Sequence, residues 1–235
     1  MLIDPYRFAH DEFFDDTFML IHVENGQIYE RTGFPAVTVS GDGVVSSAQA
    51  KFGTQSFSNP GNGSNGDYVR VGGNATDFVF PGELTIEGWF YIRAFHNTFN
   101  NFFANNINFP GAGFIQIAVT SGTKVVFLNS TAGVISSSPT GAYTGKDNKW
   151  THVALTRNAA NTGRIWIDGI QVAQTLNLNG VIGGANAGVS SLDVGRSHAG
   201  DNTDLDAFFE EIRVTKRCRY TENFTPPTAP FPPFP

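Results

Sequence analysis

Glu83 and Glu87 are the first residues to weigh for chemistry, because they stand four apart in residues 83–92, a run whose alternation predicts a β-strand. Leu84, Ile86, Gly88 and Phe90 take one face, and Glu83, Thr85, Glu87, Trp89 and Tyr91 take the other. Two carboxyl groups on one strand face are what glycosidic hydrolysis needs, one as acid and one as base or nucleophile. Thr85 stands between them. The five histidines, His10, His22, His96, His152 and His198, are dispersed and fall in no Gly-x-Ser-x-Gly elbow or metal-spaced pair. His152 lies inside a strand pattern and reads as a packing residue.

Oxygen ligands gather elsewhere. Asp193, Asp201, Asn202, Asp204 and Asp206 lie in and around a loop between two strands, and hard Ca2+ prefers such groups. Asp193, Asp201, Asp204 and Asp206 are therefore the candidate metal ligands, although their spacing is not that of an EF-hand and a solvated acidic turn is the favoured account of them. No other cofactor is indicated. Residues 95–114 set Phe95, Phe99, Phe102, Phe103, Phe109 and Phe114 among many asparagines. These rings either fill a core or present aromatic surface, and Phe99, Phe102, Phe103 and Asn105 are the candidate contacts for a glycan or a partner.

The elements that must position these residues centre on WTHVALTRNAANTGRIWIDGIQVA, residues 150–173. Trp150–Arg157 and residues 164–167 are rich in β-branched and aromatic residues and flank a polar loop, which predicts a hairpin. Asp168-Gly169 then turns the chain into a third strand. Thr151, Val153 and Leu155 point to a core; Trp150, His152, Ala154 and Thr156 point away, so the second face is either covered by another layer or amphipathic. Further strands are expected at residues 17–23, turned by Asn25-Gly26 into residues 27–30, and at 36–40, 83–92, 114–120, 124–129, 192–195 and 207–215. The expected class is all-β, with two antiparallel sheets in a jelly-roll sandwich over residues 16–224, an N-terminal arm over 1–15 and a Pro-rich C-terminal arm over 225–235.

Composition agrees. Charged residues are 15% of the 235, while Gly reaches 26 and Phe 22, a profile of many short strands and tight turns. The net charge of −6, with basic residues scattered, argues against a nucleic-acid partner. Arg213, Lys216, Arg217 and Arg219 form one basic cluster, read as a solvated strand end beside Glu210 and Glu211. Cys218 is single, so no intramolecular disulfide is expected, which fits synthesis in a reducing cytoplasm. The start, MLIDPYRFAHDEFFDD, lacks a basic region leading into an apolar one and is not expected to be a signal peptide. No run is long and apolar enough for a membrane partner.

The central hairpin, WTHVALTR followed by GRIWIDG, resembles the penultimate hairpin of laminin G-like domains in the concanavalin A-like lectin/glucanase superfamily. GDYVRV at 66–71, LTIEGWF at 84–90, FEEIRVTK at 209–216 and RYTENFTPP at 219–227 resemble further parts of that family, and the closing string is similar to the ending of such domains in tailed-phage virion proteins. The resemblance covers roughly residues 16–228 and implies a concanavalin A-like sandwich. It implies three further things. The superfamily's glucanases place an Asp where Thr85 stands, so the Glu83/Glu87 pair would lack the group that sets a nucleophile's charge, and no catalytic residue is assigned. Laminin G-like domains often hold Ca2+ at a sandwich rim. The phage relatives point to a virion.

The expected function is therefore non-enzymatic: a structural protein of a phage virion, foremost a capsid decoration or cement protein on the particle surface. Its partners would be other virion proteins of capsid or tail, and a homo-oligomer, with a trimer as the expected form. The arms would make these contacts through Phe8, Phe13, Phe14, Phe231 and Phe234, by burying rings and laying extended backbone along a neighbour. The alternative is a carbohydrate-binding adhesion module that attaches the particle to host-surface glycans.

Overall fold

The alternation and the turn chemistry are realised as strands. A computed structural model describes residues 11–30, 32, 36–61, 66–96, 99–105, 113–120, 125–129, 134–137, 143, 146–172, 176–184, 190–197 and 204–232. After a single 3-10 turn at Phe14–Asp16 come β1 (Thr17–Glu24), β2 (Gln27–Glu30), β3 (Val37–Ser40), β4 (Val44–Ser46), β5 (Ser56–Asn59), β6 (Tyr68–Gly72), β7 (Val79–Phe80), β8 (Leu84–Ala94), β9 (Phe99–Asn105) and β10 (Ile115–Thr120). The chain continues through β11 (Val125–Asn129), β12 (Val134–Ser137), β13 (Trp150–Arg157), β14 (Thr162–Ile167), β15 (Ile170–Gln171), β16 (Leu176–Asn177), β17 (Ile182–Gly183), β18 (Ser191–Val194) and β19 (Asp206–Thr215). The tight turns are the expected ones. Asn25 and Gly26 (φ 50° and 77°) and Asp168 and Gly169 (φ 49° and 75°) both take two left-handed positions in succession, the geometry that matches the twist of a hairpin.

Two large antiparallel sheets result, with β7 and β17 pairing as a separate two-stranded one. The first runs β15-β14-β13-β8-β19-β1-β2, with β5 pairing the start of β19 and β4 pairing β5; the second runs β12-β11-β10-β9-β18-β6-β3. Their inner faces share one core, in which Ile86, Phe90, Val153, Leu155, Phe209 and Ile212 of the first sheet meet Val69, Phe102, Phe103, Ile117 and Leu192 of the second. Phe90 lies 4.9 and 5.2 Å, ring to ring, from Phe102 and Phe103. Among the described residues no helix is long and apolar enough to cross a membrane.

Two irregularities shape both faces. In β9 the register against β10 slips, so that Ile117 opposes Phe103 and Ala118 opposes Asn101; the extra residue puts Phe102 and Phe103 both in the core. In β19 the register against β8 slips between Glu210 and Arg213, and Glu211 takes φ 56°. Phe209 and Ile212 both enter the core, and the two glutamates between them both leave it.

The C-terminal arm departs from expectation. Residues 216–232 have no strand of their own, yet they lie across the outer face of the first sheet as a third layer. Phe224 N–H donates to the Gly169 carbonyl at 2.9 Å, and Gln171 N–H donates to the Asn223 side chain at 3.0 Å. The Phe224 ring stacks on Tyr220 at 3.5 Å and meets Trp166 and His152 edge-on. Phe231, expected to reach a neighbour, is 2% exposed and sits 3.7 Å from the Arg213 guanidinium. The physical reason is that Trp166, His152 and Arg213 of that outer face need cover, and this chain supplies it from its own end through Phe224 and Phe231. Phe13 and Phe14 are half-buried against the same domain, Phe13 beneath Arg219; Phe8 and Phe234 lie outside the described residues.

Candidate functional site

The Glu87 carboxylate is the first candidate. β8 carries it to the outer face of the first sheet, between His152 of β13 and Arg213 of β19, and it is fully buried. Arg213 donates from Nε and Nη2 to Oε1 at 2.8 and 2.7 Å. Tyr220 OH donates to Oε2 at 2.9 Å, and His152 Nε2 lies 3.1 Å from the same oxygen. Asp11 closes the network, accepting from Arg213 at 2.9 Å and from both ends of the Arg219 guanidinium at 2.8 and 2.9 Å. Burial alone would raise the Glu87 carboxyl, but the Arg213 charge, with His152 and Arg219, holds it well below the ordinary carboxylate range. Burial and the Glu87 charge push the Tyr220 phenol upward.

These groups face one another, with both carboxylate oxygens of Glu87 engaged. A nucleophile needs a free lone pair aimed at substrate, and a general acid needs a proton held near working pH. Glu87 has neither, and Glu83 lies at the margin beside Arg217 at 3.5 Å. What the cluster does is pin the N- and C-terminal segments to the sheet. The basic cluster is thus corrected in part: Arg213 and Arg219 are buried ion-pair partners, while Arg217 is exposed and paired with Asp16 at 2.8 Å. Sequence reasoning missed Asp11 and Tyr220, whose partners lie 133 to 208 residues away along the chain. Glu210 is held differently. It accepts the Lys51 and Phe52 N–H groups, and burial pushes its carboxyl up to about 8.

The outer face of the second sheet is the other candidate. Val69 and Val71 point inward, which leaves Tyr68 and Arg70 outward on β6, and Asp193, on β18, opposes Arg70. Arg70 grips Asp193 with two bonds of 2.6 and 2.7 Å; Arg196 donates to it at 3.1 Å and lies 3.6 Å from the centre of the Tyr68 ring. Asn101 and Gln116 are hydrogen-bonded to each other and Ser197 reaches Gln116, and all three are buried. A half-buried ring flanked by two guanidinium groups is the chemistry that a saccharide or a polar protein surface meets. The alternation of Tyr68 and Arg70 with valines could have shown this from sequence.

Of the expected contacts, Phe102 and Phe103 are fully buried in the core and Asn105 is 1% exposed, bonded through its amide to Gly113 O at 2.8 Å and Ile115 N at 3.1 Å. The bulge turned both rings inward, so these three present no surface. Phe99 is half-buried at the start of β9. The expected metal ligands do not assemble as a set. Asp193 is gripped by arginines, Asp206 is paired with Arg93 at 2.5 Å and His96 at 2.9 Å, and Asp201 lies outside the described residues. Asp204 accepts the Gly66 and Asp67 N–H groups, and burial raises its carboxyl. Among the described residues no group of three His, Cys, Asp or Glu is arranged to hold a metal.

A laminin G-like family model, described as the concanavalin A-like lectin/glucanases superfamily, matches residues 62–223. No curated protein sequence matches. Among solved structures, the binding domain of Paraclostridial Mosquitocidal Protein 1 is similar at 15% identity and a TM-score of 0.62, covering 88% of this chain and 50% of that one. The binding domain of botulinum neurotoxin serotype D/C VPI 5993 gives 16% and 0.64, with 88% and 50% covered. That of serotype G gives 13% and 0.62, with 87% and 48% covered. At such identities the likeness is one of fold, and the chain spans about half the length of these domains.

Proposed function

The chain belongs to the concanavalin A-like lectin/glucanases superfamily, and from that membership we propose that it acts by binding rather than by catalysis, as a decoration or cement protein on the surface of a tailed-phage particle. One observation carries the non-enzymatic reading: Glu87, the carboxylate best placed for hydrolysis, has both oxygens engaged beneath the C-terminal segment. Because that segment and residues 11–16 lie on their own sheet, contact with the particle falls to strand edges. β3 ends the second sheet and β4 ends a branch of the first, and between them Val39 and Val44 are 43% and 58% exposed. Two adjacent edges with exposed valines suit a neighbour that supplies a strand or an apolar rim. Co-sedimentation with purified capsids tests this: the wild type should saturate at fixed stoichiometry, and Val44→Asp should lose binding while melting normally. Absence of binding to heads and tails alike would overturn it.

The outer face of the second sheet favours a second reading, a carbohydrate-binding adhesion module. Several of the similar toxin structures are described as receptor binding domains, which is a statement about those proteins. A glycan array with and without Ca2+ separates the two, since adhesion predicts hits that Tyr68→Ala abolishes and that Val44→Asp leaves intact. Light scattering of the purified chain tests the trimer.

A further inference from the structure

The bulge in β19 makes a socket for one ring and one N–H group. Glu211, held at φ 56° where a glutamate is rarely found, turns its carboxylate to the outer face; Oε1 meets His22 Nδ1 at 2.6 Å and Oε2 accepts the Phe231 N–H at 2.7 Å. The Arg213 guanidinium lies 3.7 Å from the centre of the Phe231 ring and is itself fixed by Glu87 and Asp11. Glu211, Arg213 and Phe231 are each 4% exposed or less. Backbone held in a sparsely populated conformation beside prearranged charges is a feature of clamps that grip a ligand.

The prolines around the ring set what this clamp reads. Pro230 and Pro232 have no N–H, so Phe231 supplies the one backbone donor of residues 230–232, and the prolines hold that segment extended before it docks. The unit is repeated. Residues 230–235 read Pro-Phe-Pro-Pro-Phe-Pro, two Pro-Phe-Pro units against one socket. The link leading to them is open: Thr221, Glu222 and Asn223 are exposed, between Tyr220, bonded to Glu87, and Phe224, stacked on Tyr220. No residue from 225 to 230 is fully buried.

We infer that this socket is a recognition site for a Pro-Phe-Pro segment, and that it takes one from a second copy of this chain by exchange of the segment that follows Tyr220. Every contact made within one chain is made equally between two, so exchange costs only the rearrangement of an exposed link. The repeated unit adds reach: seating Phe234 in place of Phe231 lengthens the link by three residues, about 9 Å in polyproline II. The strand edges at β3 and β4 take no part, so this contact between copies is separable from contact with a particle.

Peptide binding tests the socket. A fluorescein-labelled peptide of residues 228–235, TAPFPPFP, is titrated into full-length Phe231→Ala/Phe234→Ala protein and into wild type. The emptied socket should bind it saturably and at least about tenfold more tightly than wild type, whose own segment competes at a high effective concentration. The peptide with both rings replaced by alanine should not bind. Co-capture tests the second copy and needs no variant to fold: wild-type chains, one affinity-tagged and one fluorescent, are mixed, diluted and captured. Capture should rise with the mixing concentration, fall to background in excess TAPFPPFP, and vanish when both chains carry Phe231→Ala/Phe234→Ala. Val44→Asp should leave it unchanged, which tells a failed exchange from a failed capsid assay. The inference is refuted by wild-type chains that capture nothing, by capture that survives the peptide or the double variant, or by an alanine peptide that binds as well as TAPFPPFP.

Discussion

Replacing Glu87 with Gln should unfold the third layer without touching any activity. The side chain keeps its volume, so no cavity opens, and the loss is electrostatic. Arg213, 4% exposed, would be left with Asp11, which it shares with Arg219, and the new amide nitrogen would point at donors where Oε2 had accepted from Tyr220 and His152. Removing one partner of a buried ion pair costs about 3–5 kcal/mol. For a domain of this size that is a fall in Tm of about 6–20 °C. The pH dependence has a definite sign. The folded carboxyl lies below its ordinary value of 4.5, so its stabilisation is full above that pH and is lost as pH falls toward the folded value. Urea denaturation followed by tryptophan fluorescence should therefore show a wild-type advantage that is constant from about pH 6 upward and closes below about pH 4. A gap under about 1 kcal/mol at pH 7, or one unchanged at pH 3, would refute the buried-pair account of Glu87.

Three other perturbations follow from the same layer. Phe231→Ala, which empties a ring site 2% exposed over Arg213, should lower stability by about 3 kcal/mol in urea and make residues beyond Arg219 sensitive to mild proteolysis. Glu210→Gln should gain on the wild type as pH rises from 4.5 toward 8, because the buried wild-type carboxyl, raised to about 8, is protonated in the fold while the unfolded chain is already ionised; flat ΔΔG across that window would count against it. Gly169→Ala forces a side chain at φ 75° to within 1.8 Å of the Phe224 carbonyl, and should cost about 1–3 kcal/mol, read as a lower melting temperature.

The strands were legible where periodicity and turn chemistry are local. Trp150–Arg157 forms β13 with the expected bounds, and Leu84, Ile86 and Phe90 enter the core as their alternation requires. The failures are of two physical kinds. Bulges break the period of two without a local signal: strict alternation would put Phe102 and Phe103, or Glu210 and Glu211, on opposite faces, yet each pair lies on one side. Tertiary partners are the second kind. Prolines in residues 225–235 exclude a hydrogen-bonded strand, and from there an arm free to reach outward is a natural reading. Nothing within that segment says that Arg213 offers a face for Phe231, or that Asp11 sits between two arginines some two hundred residues later. The chemistry of Glu87 was legible only in outline, since its position on the outer face follows from alternation and its saturation does not.

The two outer faces differ in what covers them. Over the first, Arg213 and Arg219 are paired with Glu87 and Asp11, Glu211 is paired with His22, and aromatic rings of the C-terminal segment cover the network. A balanced, covered network contributes order to the sheet and leaves nothing for an outside group to satisfy. Over the second, Tyr68 stays half-buried beside the guanidiniums of Arg70 and Arg196. An aromatic ring with cationic groups at its face is one that a polar ligand can meet without breaking a closed network. The C-terminal layer therefore closes the first face, while Tyr68 on the second stays half-buried and Val39 at the β3 edge stays exposed.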